Sequence, residues 1–346
     1  VDQKQWSSWR WQLKHRITTL EDLERNDIHL TEEEIEGVKS VSGKGLGLNI
    51  TPYYLQLVDK LNPDDPIRRT VIPRVEETDV KDYEMKDPLS EDRCSPIPGL
   101  VHRYPDRVLL LTTDFCAGYC RYCTRRRLVG TKEKVITKDS FKSVVQWLKT
   151  HKKVNDVIIS GGDPLTLETT RLEDILRELY RIDSVDILRI GTKVPVTMPM
   201  RITSSLCNVL RNYHPLYVNI NFIHWKEITP ECAEACIKLS EAGIQLGSQT
   251  VLLKNVNDDV KTLKKLFHEL LKIRVKPYYL YACDRAFGTA HFQVPLKRGT
   301  KILKALRGEI SGFAIPQYVL DTPTGKVPAN PSFTKELRAR NLKEKR

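Results

Sequence analysis

The apolar positions of this chain follow two rhythms, and the change between them falls near residue 100. Before it they recur at helical spacing. Trp6, Trp9, Leu13 and Ile17 make one stripe, and Thr31 followed by Glu34 is a capping box that opens another helix. Bulky tryptophans on such a stripe serve packing, so residues 1–100 are expected to form a helical layer docked on a main body.

From about residue 105 short apolar runs alternate with amphipathic stretches. RVLLLTT (107–113), DVIISG (156–161), VDILRIGT (185–192), YVNINFI (217–223), IQLGSQTVLL (244–253) and KPYYLYA (276–282) predict strands. Each is followed by a helical pattern, from SFKSVVQWLKTH (140–151) to KRGTKILKALRGEI (297–310), and PQYVLDT (316–322) predicts a closing strand. Strand–helix units in series give parallel strands with right-handed crossovers. Six units fall short of the eight of a closed barrel. The expected fold class is therefore α/β, a partial (β/α)6 TIM-like barrel over residues 101–323 with an N-terminal helical layer. Residues 324–346 are expected to be a loop and tail, and a doubly wound sheet is the alternative.

Composition narrows the class. Apolar residues at 40% and charged residues at 29% are those of a globular protein. No uninterrupted apolar run approaches the ~18 residues a membrane helix needs. The first residues, VDQKQWSSWRWQLKHRI, have neither an apolar h-region nor a cleavage site, so a cytoplasmic protein without membrane partners is expected. The net charge of +12 invites a nucleic-acid partner. Its distribution argues otherwise: basic residues are mixed with acids along the chain, and the densest run, KELRARNLKEKR at 335–346, reads as a solvated terminal helix or frayed end.

The cysteines carry the chemistry. Three of the eight, Cys116, Cys120 and Cys123, have C-x3-C-x2-C spacing directly after the first barrel strand. Three thiolates can bind three irons of a cubane cluster and leave the fourth open to chelate a small molecule. Zinc is the alternative, but it prefers a fourth Cys or His at short spacing, and only Cys94 and His102 lie upstream. The remaining cysteines read as buried free thiols, and Cys232 and Cys236 fall on one helical face as packing residues. The next strand ends in Ser160-Gly161-Gly162-Asp163, where glycines would let backbone approach a ligand. Both features sit at C-terminal strand ends, where parallel α/β folds build active sites.

Together these motifs resemble the radical S-adenosylmethionine superfamily. SSWRWQLKHRI, LNITPYYLQLVD, PGLVHRYPDRVLLL, CRYCTRRRLVG, SGGDPL, ITPECAEAC, SQTVLLKNVND, KPYYLYACD, SGFAIPQYVLDTPTGK and KVPANPSF extend the resemblance, over nearly the whole chain, to the lysine 2,3-aminomutase family. That resemblance implies a [4Fe–4S] cluster on Cys116, Cys120 and Cys123, S-adenosylmethionine contacted by Gly161, Gly162 and Asp163, and pyridoxal phosphate attached to Lys326. It also implies cofactor contacts from Gln249, Arg103, Tyr104 and Arg107. An arginine in that last group could hold the phosphate or leave the pyridine nitrogen unprotonated, and the roles stay undivided. Arg125 would grip the substrate α-carboxylate, for which a guanidinium fork is suited. Its neighbours Arg126 and Arg127 are expected to be a solvated turn.

Asp284 and Asp321 would hold a distal cation, making the substrate a basic amino acid. The implied reaction moves the α-amino group of L-lysine to Cβ. Arginine remains a second candidate substrate, and so does a lysine attached to, or destined for, a translation factor. The Thr324-Gly325 run before Lys326 is shorter than the family's glycine-rich stretch. An RNA-binding iron–sulfur protein is the rival from outside the enzymes. The resemblance also implies a flavodoxin- or ferredoxin-type reductant and allows a homo-oligomer. The residues after Lys326 carry no cysteine, so no structural metal is expected there.

Overall fold

A computed structural model describes residues 2–42, 46–130 and 134–329. Its centre is a nine-stranded sheet: β1 (Leu100–Tyr104), β2 (Arg107–Thr113), β3 (Asp156–Gly161), β4 (Ile187–Thr192), β5 (Leu216–Asn221), β6 (Gln245–Leu252), β7 (Val275–Ala282), β8 (Gln317–Thr322) and β9 (Gly325–Pro328). The strands lie in sequence order. From β2 to β8 every pairing is parallel, while β1 on β2 and β9 on β8 are antiparallel. The expected partial barrel is present, with an antiparallel strand added at each edge.

Alternation along the strands sorts the side chains. Val108, Leu110, Val157, Ile159, Leu188, Ile190, Val218 and Ile220 are buried toward the barrel's surrounding helices. The helix Lys138–Thr150 answers with Phe141, Val144 and Leu148, and Val260–Lys272 answers with Leu263, Leu266, Phe267 and Leu270. Fully burying such a side chain contributes about 1.5–3 kcal/mol. The opposite face, toward the barrel interior, carries polar residues such as Asp156 and Arg189, paired at 2.7 Å.

Three expectations need correction. The Trp6–Ile17 stripe is not one helix: it breaks into Gln3–Trp6 and Trp9–Lys14, and Ile17 pairs with Ile50 in an isolated bridge. Ser8 caps the second piece by accepting from the Trp11 amide, which explains the break. Strand β1 falls where no strand was expected, although Pro105-Asp106 between two apolar runs is turn chemistry. The segment expected as a loop after residue 323 is strand β9, with Asp321 opposite Lys326 and Thr322 opposite Gly325. The capping box at Thr31 and Glu34 forms as expected. The basic run at 335–346 lies outside the described residues. No helix of the described residues is long and apolar enough to cross a membrane.

Buried ion pairs hold the helical layer together and bond it to the barrel. Within the layer Arg68 meets Glu34 at 2.7 Å with both side chains inaccessible, and across to the barrel Arg121, inside the cysteine motif, meets Glu77 at 2.7 Å. Across the open side of the barrel, β1 reaches the last hairpin by side chains. Arg103 pairs with Asp321 at 3.2 Å, and the Tyr104 hydroxyl accepts from the Lys326 amide at 2.8 Å.

Candidate active site

The three motif cysteines line one cavity with Arg125, Ser160, Gly161, Gly162, Asp163, Lys193, Asn221 and Gln249. The loop that carries them is fixed by its neighbours' backbone. Tyr119 donates to the Asn49 carbonyl at 2.9 Å, Arg121 donates to that of Thr70 at 2.9 Å, and the Asn49 amide side chain donates to the Cys116 carbonyl at 2.9 Å. Burial pushes the Cys116 and Cys120 thiols up and takes Cys123 to about 11. Arg125 and Lys193 offset only part of that burial penalty.

No fourth cysteine and no histidine is among the described residues lining this cavity. Cys94 and His102, the upstream candidates for a fourth ligand, do not line this cavity, and the His102 ring lies edge-on to Trp147 at 5.1 Å. The donor set is three thiols, which suits a cubane cluster with an open iron and leaves zinc one ligand short. Cys207, Cys232, Cys236 and Cys283 are buried free thiols as expected, whereas Cys94 is half-exposed.

Gly161 and Gly162 serve a purpose the sequence did not reveal. A Cβ on Gly161 would lie 2.2 Å from the Thr113 carbonyl oxygen, and one on Gly162 would lie 2.3 Å from that of Phe115. The glycines let β3 press against the start of the cysteine loop. Asp163 is likewise engaged by the fold: its carboxylate accepts from the Lys193 amide at 2.6 Å, the Thr192 hydroxyl at 2.7 Å and the Leu165 amide at 3.1 Å. Burial raises this carboxyl to about 6. It ties β3 to β4 at the cavity wall.

The arginine triplet is not a solvated turn. Arg126 meets Glu77 at 2.7 Å, and Arg127, whose side chain is 4% exposed, pairs with Asp87, Glu91 and Asp92. Glu77 draws Arg126 inward and the cluster of Asp87, Glu91 and Asp92 draws Arg127, which local sequence could not show. Arg125 is held by Glu91, its Nε and Nη2 reaching the carboxylate at 2.7–3.0 Å, while Nη1 faces the Ser160 hydroxyl at 3.4 Å. One edge of the guanidinium is thereby fixed and the other faces the cavity. Glu91 was not anticipated; it sits in a turn-rich stretch without periodicity.

The second group surrounds Lys326. Its Nζ lies 2.9 Å from Asp321 Oδ2, and Arg103 Nη2 takes the other oxygen at 3.2 Å and also donates to the Thr322 carbonyl. Tyr104 holds the Lys326 backbone, as described. Arg107 pairs with Asp106 at 2.9 Å and lies 3.9 Å from the Tyr104 ring, so it reaches Lys326 only through Tyr104. Tyr281, which sequence reasoning missed, links the two groups: its hydroxyl accepts from Gln249 at 3.3 Å, and its ring lies 5.6 Å from Lys326 Nζ. Its only sequence signal is its place at the end of β7.

Asp284 joins the groups. It lines a cavity of about 400 Å³ with Asp321 and accepts at Oδ2 from the Thr124 hydroxyl at 2.5 Å, beside Cys123. Its Oδ1 is buried and has no partner among the described residues. Burial raises the carboxyl to about 6, and the charge of Asp321 adds to the rise.

The sequence profile of the Radical SAM superfamily matches residues 110–267, from within β2 to within the helix Val260–Lys272. The chain is 45% identical over 335 residues to L-lysine 2,3-aminomutase of Fusobacterium nucleatum, covering 96% of this chain and 78% of that one. The same enzyme of Clostridium subterminale is 45% identical, covering 96% and 80%. The chain belongs to the lysine 2,3-aminomutase family. Glutamate 2,3-aminomutase of Clostridioides difficile is a further relative, 41% identical over 96% of the chain and 78% of its own length. Membership of the aminomutase family makes the chain an isomerase that uses a [4Fe–4S] cluster, S-adenosylmethionine and pyridoxal phosphate. The three thiols fit the first of these, and the Lys326 amine, 31% exposed and with Arg103 beside it on the shared Asp321, fits the last.

Proposed function

We propose that the chain is a lysine 2,3-aminomutase, converting L-lysine to β-lysine by moving the α-amino group to Cβ. The observation that carries this reading is the pair of carboxylates, Asp284 and Asp321, lining one cavity beside Lys326. Two anionic groups attract an ε-ammonium and repel a side-chain carboxylate, which sets this chain apart from a glutamate-specific relative.

When bound, the cluster with S-adenosylmethionine supplies a carbon radical that takes hydrogen from Cβ, and pyridoxal phosphate carries the migrating nitrogen. The protein's share is placement. Arg125, fixed by Glu91, turns its free edge to the substrate α-carboxylate. Asp284 receives the ε-ammonium at its unpartnered Oδ1, and Thr124 keeps that carboxylate in register with the cysteine loop. Gly161 and Gly162 bring β3 against that loop, while Gln249 and Tyr281 span the distance from the cluster cavity to Lys326. Holding the reacting atoms in one orientation and excluding water protects a radical from side reactions. A flavodoxin- or ferredoxin-type reductant, a cytoplasmic setting and a homo-oligomer complete the reading. The eight free cysteines support a reducing compartment.

The test is an anaerobic assay of reconstituted protein with dithionite, S-adenosylmethionine, pyridoxal phosphate and L-lysine, read by mass spectrometry after chiral derivatisation. L-Arginine, L-glutamate and Lys326→Ala run in parallel. β-Lysine from wild type, lost in the variant, is the expected result. Deoxyadenosine without a β-amino acid would keep the radical chemistry and overturn the substrate.

A further inference from the structure

The two carboxylates assigned to the substrate's ε-ammonium are not in the same state. Asp284 has one oxygen bonded to Thr124 and the other buried without a partner. Asp321 has both oxygens engaged, one by Arg103 and one by Lys326. The second of these contacts is unusual in its chemistry. The Nζ of Lys326 is itself the ε-ammonium of a lysine, and it lies 2.9 Å from Asp321 Oδ2. The chain has placed one of its own lysine side chains where a lysine substrate would place the same group.

Each oxygen already has a cationic donor, so a substrate cation competes with Arg103 and Lys326 for Asp321. Arg103 is anchored: its side chain is 9% exposed and it also donates to the Thr322 carbonyl. Lys326 is the partner that can go. Its side chain is 31% exposed, and it stands on the terminal strand β9, bonded to only one strand. Attachment of pyridoxal phosphate would draw Nζ to the cofactor and leave it fewer protons to give Asp321. The C=N bond forms between Nζ and the aldehyde carbon, and the aldehyde oxygen leaves as water with two hydrogens from the ammonium. One N–H remains where there were three.

We propose that Lys326 is an internal occupant of the substrate's ammonium site, so that the chain without pyridoxal phosphate holds Asp321 closed to lysine and cofactor attachment opens it. Loading is then ordered, cofactor before substrate, by competition of two like groups for one carboxylate. By linkage, whatever favours Lys326 on Asp321 disfavours lysine there by the same factor. The inference rests on the reading of Asp321 as a substrate ligand.

The experiment measures L-lysine binding by calorimetry to the full chain carrying its cluster, without pyridoxal phosphate. Wild type is compared with Lys326→Met, Lys326→Arg and Lys326→Met/Asp321→Asn, and norleucine serves as the probe that lacks the ε-ammonium. An occupant with a tenfold preference for the closed state weakens lysine about tenfold, so Lys326→Met should bind lysine about tenfold more tightly. Lys326→Arg, which keeps a cation, should show no such gain. Norleucine affinity should not change, and the double variant should lose the gain. Equal lysine affinity in wild type and Lys326→Met, with Asp321→Asn weakening both, would overturn the occupant while leaving the substrate reading intact. A gain shared by norleucine would also overturn it, since that reports freed space rather than freed charge. Lysine binding indifferent to Asp321→Asn in every background would remove the substrate reading and the inference with it.

Discussion

The cysteine loop and the β8–β9 hairpin carry the two halves of the candidate site, yet they are built in opposite ways. The loop is clamped from several sides: Arg121 and Arg126 converge on the buried Glu77, and backbone bonds from the loop reach Asn49 and Thr70 in the helical layer. The hairpin is an edge. Beyond its own pairing it is held by Arg103 on Asp321 and by the Tyr104 hydroxyl on the Lys326 amide. A centre that generates a radical has to be immobile, because a misdirected radical reacts with whatever is near. On the proposed reading Lys326 must leave its cofactor and return, so it has to be able to move. The fold gives each end the stiffness its chemistry requires.

That contrast can be broken most severely at Glu77. Removing one partner of a buried ion pair costs about 3–5 kcal/mol, and here two arginines lose theirs. Glu77→Gln should lower the melting temperature sharply and reduce the iron bound per chain on reconstitution. Unchanged iron content would mean that backbone bonds alone hold the loop.

Next in size is the carboxylate between the two regions. Hydrogen bonds to charged groups contribute about 1.5–3 kcal/mol. Asp284→Asn should therefore lower kcat/KM for lysine by about tenfold to a hundredfold, with normal iron content. A loss of iron would place Asp284 with the loop rather than the substrate.

A smaller, graded effect follows from pH. Asp284 gives up its proton near 6 in the folded chain, against an ordinary value of 3.8. Only its ionised form attracts an ammonium, so kcat/KM for lysine should fall as pH drops through about 6, and Asp284→Asn should remove that contribution. The stability sign is the reverse. Between the two values the folded chain holds the proton that the unfolded chain has released, so stability without substrate falls as pH rises through this window. A thermal scan from pH 4 to 7, with and without lysine, separates the two effects.

The least effect is expected at the hairpin. Tyr104→Phe removes one hydrogen bond to the Lys326 amide, a net loss of about 1 kcal/mol. Because the hairpin is an edge, faster hydrogen exchange at β9 with little change in melting temperature should result. A global drop in melting would show that the hairpin is as integral to the fold as the loop.

The barrel strands were legible because burial on one face writes a period into the chain, as in Val108, Leu110, Val157 and Ile159. The candidate cluster ligands were legible because three thiols that could serve one cluster lie within eight residues and need no partner from elsewhere. Strands β1 and β9 were not, since short edge strands flanked by proline and glycine carry no alternation. Arg126 and Arg127 were misread for a different reason: the acids that bury them lie tens of residues upstream, and charge pairing over such separations leaves no local pattern.

By itself, then, the sequence determined the α/β alternation, the cysteine motif and, through resemblance, the identity of Lys326, Arg125, Asp284 and Asp321 as candidate groups. These are properties of single residues and short spacings. Only the tertiary structure decided which of those groups are free. It set Glu91 on Arg125, Thr124 on Asp284 and Lys326 on Asp321, because hydrogen bonds act over about 3 Å in space whatever their separation along the chain.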